Sequence, residues 1–364
     1  MRVVVAPDKF AGTLSAVEAA AAITQGWHRR VPDAEIAQVP MSDGGPGFVD
    51  VLHAALGGEL LAVTVSDPYG DPVPATILRV GETAYVESAQ AVGLHLAPAG
   101  LRRPMVASSR GLGELLRAAV EDGARRVVVG AGGTATNDGG AGLLAALGAT
   151  ADGGVLDGGP DALAPLRAVD VEPARRRVSS VEIVLASDVD NPLLGLLGAT
   201  KTFGPQKGLT EEQLLVVDGR LQHLAGLLDR KAANLKGAGA AGGIGYALLL
   251  LGATRIPGVD VVADAVDLAG RLRGADLVIT GEGAFDFSSR SGKVPYGVAQ
   301  VAAERLVPCI ALAGQVLVGS REMRALGVEA AYSLVDRVGE ERAFAEPAAA
   351  LSELAERVAR TWGR

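Results

Sequence analysis

The chain has 364 residues, 49% of them hydrophobic and 21% charged, so it is globular and, at ~150 residues per domain, too long for one ordinary core. Its 49 glycines and 18 prolines stay below the ~25–30% share that marks low-complexity chains and point instead to many tight loops. A net charge of −8 argues against nucleic acid and anionic membrane as main partners, and the single cysteine, Cys309, excludes an internal disulfide and a multi-cysteine metal site.

Residues 3–6 read as a buried strand that Pro7-Asp8-Lys9-Phe10 breaks. No basic region with a long apolar core precedes it, and the longest later apolar run, 246–251, is too short to span a bilayer, so a soluble cytoplasmic protein is expected. Ser15 and Glu18 form a capping box for a helix to about Arg30. Residues 35–40 make a second strand ending in Ser42-Asp43-Gly44-Gly45, and a helix over 48–56 follows.

From 58 to 92 the rhythm changes. Short alternating segments at 61–65, 75–80 and 83–87, separated by turn signals at 67–72 and Gly81, predict an antiparallel meander and a boundary near residue 60. A helix at 112–121, closed by Gly123, leads to a strand at 126–130, the loop Gly132-Gly-Thr-Ala-Thr-Asn-Asp-Gly-Gly140 and a helix from Ala141. Residues 150–180 read as surface turns, and 181–186 as a strand ending at Ser187-Asp188-Val-Asp190-Asn191-Pro192. Thr210 and Gln213 cap a helix reaching about Lys236, and Gly237-Ala-Gly-Ala-Ala-Gly-Gly243 opens another. The βαβ rhythm resumes near residue 271 with Leu277-Val-Ile279, ended by Thr280-Gly-Glu282; a helix with Pro295 near its start, strands at 310–313 and 330–334, and a C-terminal amphipathic helix complete the chain. The expectation is two α/β domains, 1–60 plus 271–364, with 61–270 inserted.

In an open α/β sheet, ligands bind beyond the carboxyl ends of the strands, which is where Glu282, Asp286 and Lys293 fall. The alternative is a βα connection whose glycines only let the chain turn and whose lysine is solvated. The loop 132–140 can aim several N–H groups and two hydroxyls at an anion; alternatively Asn137 and Asp138 merely cap the next helix. Asp188 and Asp190, two apart after a strand, suit a magnesium ion or a base beside one ligand, against the alternative of an Asp-rich turn. Lys201 and Lys207 then bring cations and a glycine loop within twenty residues of those acids, and phosphoryl transfer needs both signs.

Other motifs fail on context. Gly237–Gly242 matches the dinucleotide fingerprint G-x-G-x-x-G, but a polar helical segment precedes it where a strand is required. A phosphate-binding Walker A loop is excluded by Phe287 and Val294. The histidines at 28, 53, 95 and 223 have no paired spacing, and Cys309 lies in an apolar run as a buried small residue.

Together the loops resemble the bacterial type I glycerate kinase family. The stretches that carry this are Ala6-Pro-Asp8 with Gly12-Thr-Leu-Ser15, Pro40-Met-Ser-Asp-Gly-Gly45, Gly132 through Ala141, Asp188-Val-Asp-Asn-Pro-Leu193, Phe203-Gly-Pro-Gln-Lys-Gly208, Gly237 through Gly243, and Asp276-Leu-Val-Ile-Thr-Gly-Glu-Gly283 with Gly292-Lys293. The resemblance implies a flavodoxin-like parallel-sheet domain with a mixed-sheet, restriction-endonuclease-like domain inserted, and transfer of the γ-phosphate of ATP to D-glycerate, at the 2-hydroxyl, with Mg2+. On physical grounds Asp190 is expected to orient or deprotonate the hydroxyl, with Lys293 and Asp286 also catalytic and Asp188 and Glu282 holding the metal. Substrate or nucleotide is expected to meet Asp8, Lys9, Asp43, Gly44, Gly45, Gly133, Thr134, Thr136, Asn137, Asp138, Lys207, Gly281 and Glu282. A homodimer is left open.

The chain departs from the family pattern at Ala11, Pro46, Ala284 and Ser288, where charged or amide side chains are usual. Losing charge-assisted contacts at about 1.5–3 kcal/mol each is enough to change which acid is accepted. A related hydroxy acid, phosphorylation at the 3-hydroxyl, or a non-catalytic metabolite-binding relative are therefore alternatives; a dinucleotide-dependent oxidoreductase is a further one, which the missing strand disfavours.

Overall fold

A computed structural model describes residues 1–10, 12–286 and 293–363; Ala11, Phe287, Ser288 and Gly292 lie outside the described residues. In chain order the strands are β1 (Arg2–Pro7), β2 (Glu35–Gln38), β3 (Glu59–Ser66), β4 (Pro72–Val80), β5 (Thr83–Glu87), β6 (Arg126–Gly130), β7 (Thr150–Asp152), β8 (Ala168–Asp170), β9 (Glu182–Ala186), β10 (Thr254–Ile256), β11 (Leu277–Phe285), β12 (Cys309–Val316) and β13 (Ala330–Ser333). Two compact units result: Met1–Asp43 with Asp50–Gly57 and Gly258–Arg364, and Gly44–Val49 with Gly58–Pro257.

The first unit is a parallel sheet in the order β2-β1-β11-β12-β13, the flavodoxin-like arrangement. Val3, Val5, Leu277, Ile279, Ile310 and Leu312 bury one face under helices Ala16–Arg30 and Pro347–Trp362. The first of these helices starts where Ser15 Oγ accepts from Glu18 N (3.2 Å) and Glu18 Oε2 accepts from Ser15 N (2.9 Å), two otherwise orphaned donors satisfied at once. The two helices touch at Gly26, where a β-carbon would lie 1.9 Å from the Ser352 carbonyl oxygen. Gly26→Ala is therefore expected to cost about 1–3 kcal/mol through overpacking, read as a lowered thermal midpoint. An unchanged midpoint would contradict this close approach.

The second unit carries a mixed sheet in the order β10-β9-β6-β5-β4-β3, antiparallel from β3 to β5 and parallel from β5 to β10. The meander forms as its turn chemistry predicts: Asp67 Oδ1 accepts from Tyr69 N (2.7 Å) and Asp71 N (2.9 Å), closing the β3–β4 turn.

Three sequence expectations need correction. Residues 150–180 are more than surface turns: β7 and β8 pair, helix Glu172–Val178 follows, and Leu156, Leu163, Leu166, Ala174 and Val178 enter the core, which glycine-rich punctuation concealed. The helix capped by Thr210 ends at Leu227, not near Lys236, because Asp229 Oδ1 accepts from Lys231 N and Ala232 N and turns the chain aside. Strand β11 continues through Thr280, Gly281 and Glu282 to Phe285, because β1 and β12 supply ladder partners on both edges. Glu282 thus projects from a strand rather than a loop.

Among the described residues no helix is long and apolar enough to cross a membrane. Cys309 is buried and its thiol is pushed up to about 12 by that burial, which makes it inert packing.

Candidate active site

In the first unit the strand order reverses between β1 and β11, because the chain goes from β1 outward to β2 and returns on the other side. Splayed loops leave a crevice at the carboxyl end of such a switch point. Pro7 pairs with Gly281 there, and Asp8 N donates to the Gly281 carbonyl at 2.8 Å. Gly281 serves strand pairing: a β-carbon on it would lie 2.1 Å from the Leu312 carbonyl oxygen.

Around this point stand Asp8, Lys9, Asp43, Glu282, Asp286 and Lys293. Lys9 Nζ lies 3.3 Å from Asp43 Oδ1 and 3.6 Å from Asp8 Oδ1. Lys293 caps helix Val294–Glu304, whose first turn holds Pro295, and its Nζ lies 3.8 Å from Glu282 Oε2 and 3.7 Å from Asp286 Oδ1. Asp8 and Glu282 are buried. Burial pushes the Asp8 carboxyl up to about 7; the Asp43 and Glu282 carboxylates add to this, while Lys9 and its backbone N–H oppose it. A carboxyl that titrates near neutrality beside Lys9, in a cluster that also holds Lys293, can take a proton while the ammonium groups hold an anion.

In the second unit, β5, β6 and β9 end level, with Glu87 beside Gly130 and Gly130 beside Ala186, so the residues after each strand share one sheet edge. Gly130 and Gly132 let the Gly44–Gly45 backbone approach: β-carbons on them would lie 2.8 Å from the Gly44 carbonyl oxygen and 2.9 Å from the Gly45 Cα. Gly133 lies at φ +66°, and a β-carbon there would meet the Pro46 ring at 2.7 Å. Gly44, Gly45 and Gly133 therefore let backbones approach closely.

Lys207 is buried beside this loop, with Nζ donating to the Thr136 carbonyl and lying 3.4 Å from Thr134 Oγ1. Burial pushes its ammonium down to about 7, against the pull of the Asp138 carboxylate. It lines a hollow of about 120 Å3 with Gly132, Gly133, Thr134, Phe203 and Gly242. Thr136 and Asn137 are fully buried; Thr136 Oγ1 and Asn137 Oδ1 have no hydrogen-bond partner among the described residues, while Asn137 Nδ2 donates to Thr200 Oγ1 at 2.9 Å. A buried lysine and the Thr134 hydroxyl lining one hollow are groups that an anionic, hydroxylated ligand would satisfy.

Two of the expected site residues are engaged within the fold. Asp138 is fully buried, with Oδ2 accepting from Ser109 N, Ser109 Oγ and Gly142 N and Oδ1 from Gly140 N. It anchors the loop and offers no face to a ligand. Asp190 is exposed and spends both oxygens on cations, Lys236 Nζ at 2.9 Å and Arg255 Nη2 at 2.7 Å. The Lys236 hydrogen bond, with Arg255 adding, holds its carboxyl below the usual range, which makes it a poor base. Asp190→Asn is expected to change turnover less than about tenfold and stability by at most ~1 kcal/mol, as for exposed ion pairs. A steady-state assay showing a loss of several hundredfold would return Asp190 to the chemistry.

Asp188 is half-buried at the carboxyl end of β9 in the second unit, while Glu282 belongs to the first. Sequence reading missed Glu87, a buried acid that accepts from Gly47 N (3.1 Å) and Val49 N (3.3 Å), and Ser109, which holds Asp138. The signal for Glu87 was its place at a strand end.

A family model described as the glycerate kinase family matches residues 3–363. A glycerate kinase of Bacillus subtilis (strain 168) is 42% identical over 345 residues, 92% of this chain and 90% of that protein. A glycerate 2-kinase of Escherichia coli (strain K12) is 41% identical over 349 residues, 93% of this chain and 92% of that one. The crystal structure of a Salmonella typhimurium LT2 protein described as a glycerate kinase 2 is 38% identical, with a TM-score of 0.83, and covers 99% of this chain and 98% of its own.

Proposed function

The chain belongs to the glycerate kinase family, with ATP as the phosphate donor, and we propose that it phosphorylates D-glycerate at the 2-hydroxyl. The observation that carries the mechanism is Asp8, buried beside Lys9 at the β1–β11 switch with its carboxyl pushed up to about 7. In the step, the hydroxyl oxygen bonds to the γ-phosphorus, the bond from that phosphorus to the β–γ bridging oxygen breaks, and ADP leaves. The hydroxyl proton passes to Asp8. Lys9 and Lys293 meet phosphate oxygens as point charges, with Asp43 and Asp286 positioning the two ammonium groups. The second unit offers an anion hollow of its own, where Lys207 and Thr134 present an ammonium group and a hydroxyl.

Mg2+ fits part of the donor set. Among the described residues no group of three or more His, Cys, Asp or Glu side chains forms a metal cage. The ion needs only one or two carboxylates when waters and phosphate oxygens complete its octahedron, and Glu282 would hold it, with Asp188 as the other candidate. When bound it neutralises charge on the phosphates.

Release of ADP measured over a panel of glycerate and related hydroxy acids, followed by phosphorus NMR of the product, tests this reading. 2-Phosphoglycerate is expected. A 3-phosphate would overturn the regiochemistry, a preferred larger acid the substrate, and no turnover with any acid the kinase reading. The related acid is kept because Pro46 and Ala284 stand where charged side chains are usual.

A further inference from the structure

The charge cluster of the first unit continues into a feature that the roles above leave unused. An apolar hollow of about 230 Å3 is walled by Phe10, Gly283, Ala284, Gln315, Val335 and Phe344. Two of its wall segments are extensions of the cluster itself: Phe10 follows Asp8 and Lys9, and Gly283 and Ala284 follow Glu282. It lies where β11 and β12 end, on the side of a flavodoxin-like sheet that takes ligands.

Its chemistry is specific. Gly314 lies so near β11 that a β-carbon would be 2.3 Å from the Gly283 carbonyl oxygen, so backbone rather than side chain lines this part of the hollow and a flat ring can lie against it. Phe344 is 59% exposed at the rim, an aromatic face left in water. The Gln315 amide makes no hydrogen bond among the described residues, so it has a donor and an acceptor to offer a ring edge. The volume is below the ~300–1,000 Å3 of sites that enclose a whole drug-sized ligand and suits one planar ring system. A small charged hydroxy acid has nothing apolar to put there.

We propose that this hollow holds the purine base of the nucleoside triphosphate, its phosphate chain running along the strand ends toward Lys9 and Lys293; the phosphate half of this statement rests on the kinase reading. Aromatic stacking on Phe344 and an amide edge from Gln315 account for recognition of the base.

The test uses the full chain with adenosine, which has a base and no phosphate, and tripolyphosphate, which has the reverse. Ala284→Leu fills the hollow and Phe344→Ala removes its exposed wall, a surface change that leaves the core untouched; circular dichroism verifies folding of both. Adenosine binding by calorimetry is expected in the parent chain and weakened about tenfold in each variant, with KM for ATP rising by a similar factor. Tripolyphosphate inhibition stays unmoved in both variants, and KM for the acid stays unmoved in Phe344→Ala. The proposal is overturned if the parent chain binds no adenosine, if both variants bind it as well as the parent, or if ATP and acid constants move together in Phe344→Ala. Absence of turnover alongside adenosine binding that tracks the hollow would instead remove the kinase reading and leave the base site standing.

Discussion

Asp8→Asn is expected to lower kcat by about 10²- to 10⁴-fold, the range general-base removal produces, while the protein becomes more stable at pH 8. The two effects share one cause. Burial raises the folded-state carboxyl from 3.8 to about 7, so the folded chain binds this proton more tightly than the unfolded chain. For an acid shifted upward, no penalty exists below the unfolded value. Stability falls as pH rises through the interval between the two values, and the cost is complete above about 7. Asparagine keeps an oxygen to accept the Lys9 N–H bond and removes the buried charge, so its thermal midpoint should exceed that of the parent at pH 8 and lose the advantage near pH 4. In the parent, kcat should climb with pH to a plateau above about 7, and that limb should vanish in the variant. Turnover within tenfold of the parent would end the case for Asp8 as base.

Gly242→Ala should do nearly as much damage by a steric route. Gly242 lies at φ +73°, and a β-carbon would stand 1.9 Å from the Thr136 carbonyl oxygen and 2.8 Å from Lys207 Nζ. The left-handed backbone alone costs an L-residue about 1–2 kcal/mol, and overpacking adds about 1–3. The displaced groups line the second unit's anion hollow, so if that hollow serves the acid, KM for the acid should rise at least about tenfold while KM for ATP changes little. Gly219→Ala is the control: its β-carbon meets nothing within 4 Å on an exposed helix position, and it should gain up to ~1 kcal/mol. An unchanged acid KM in Gly242→Ala would detach the Lys207 hollow from substrate binding.

The elements that sequence reading located well are those whose causes are local. Ser15 with Glu18 and Thr210 with Gln213 cap their helices within one turn, and Asp67 closes its turn within four residues. Reading failed where the cause lies elsewhere in the chain. Thr280 to Glu282 resemble loop residues until β1 and β12 are set beside them. Residues 150–180 look like turns until Leu156, Leu163 and Leu166 find a core.

The candidate site divides the same way. Residue types and order alone determined which side chains are available: aspartates, lysines and glycine loops at strand ends, together with a match to one family along nearly the whole chain. Tertiary structure decided what each can do. Asp138 became an anchor because Ser109, 29 positions earlier, donates to it, and Asp190 became an ion pair because Lys236 and Arg255 reach it. Asp8 and Lys207 titrate near 7 because packing strips water from them. Desolvation and charge–charge terms depend on distance through space, which the order of residues along a chain does not contain.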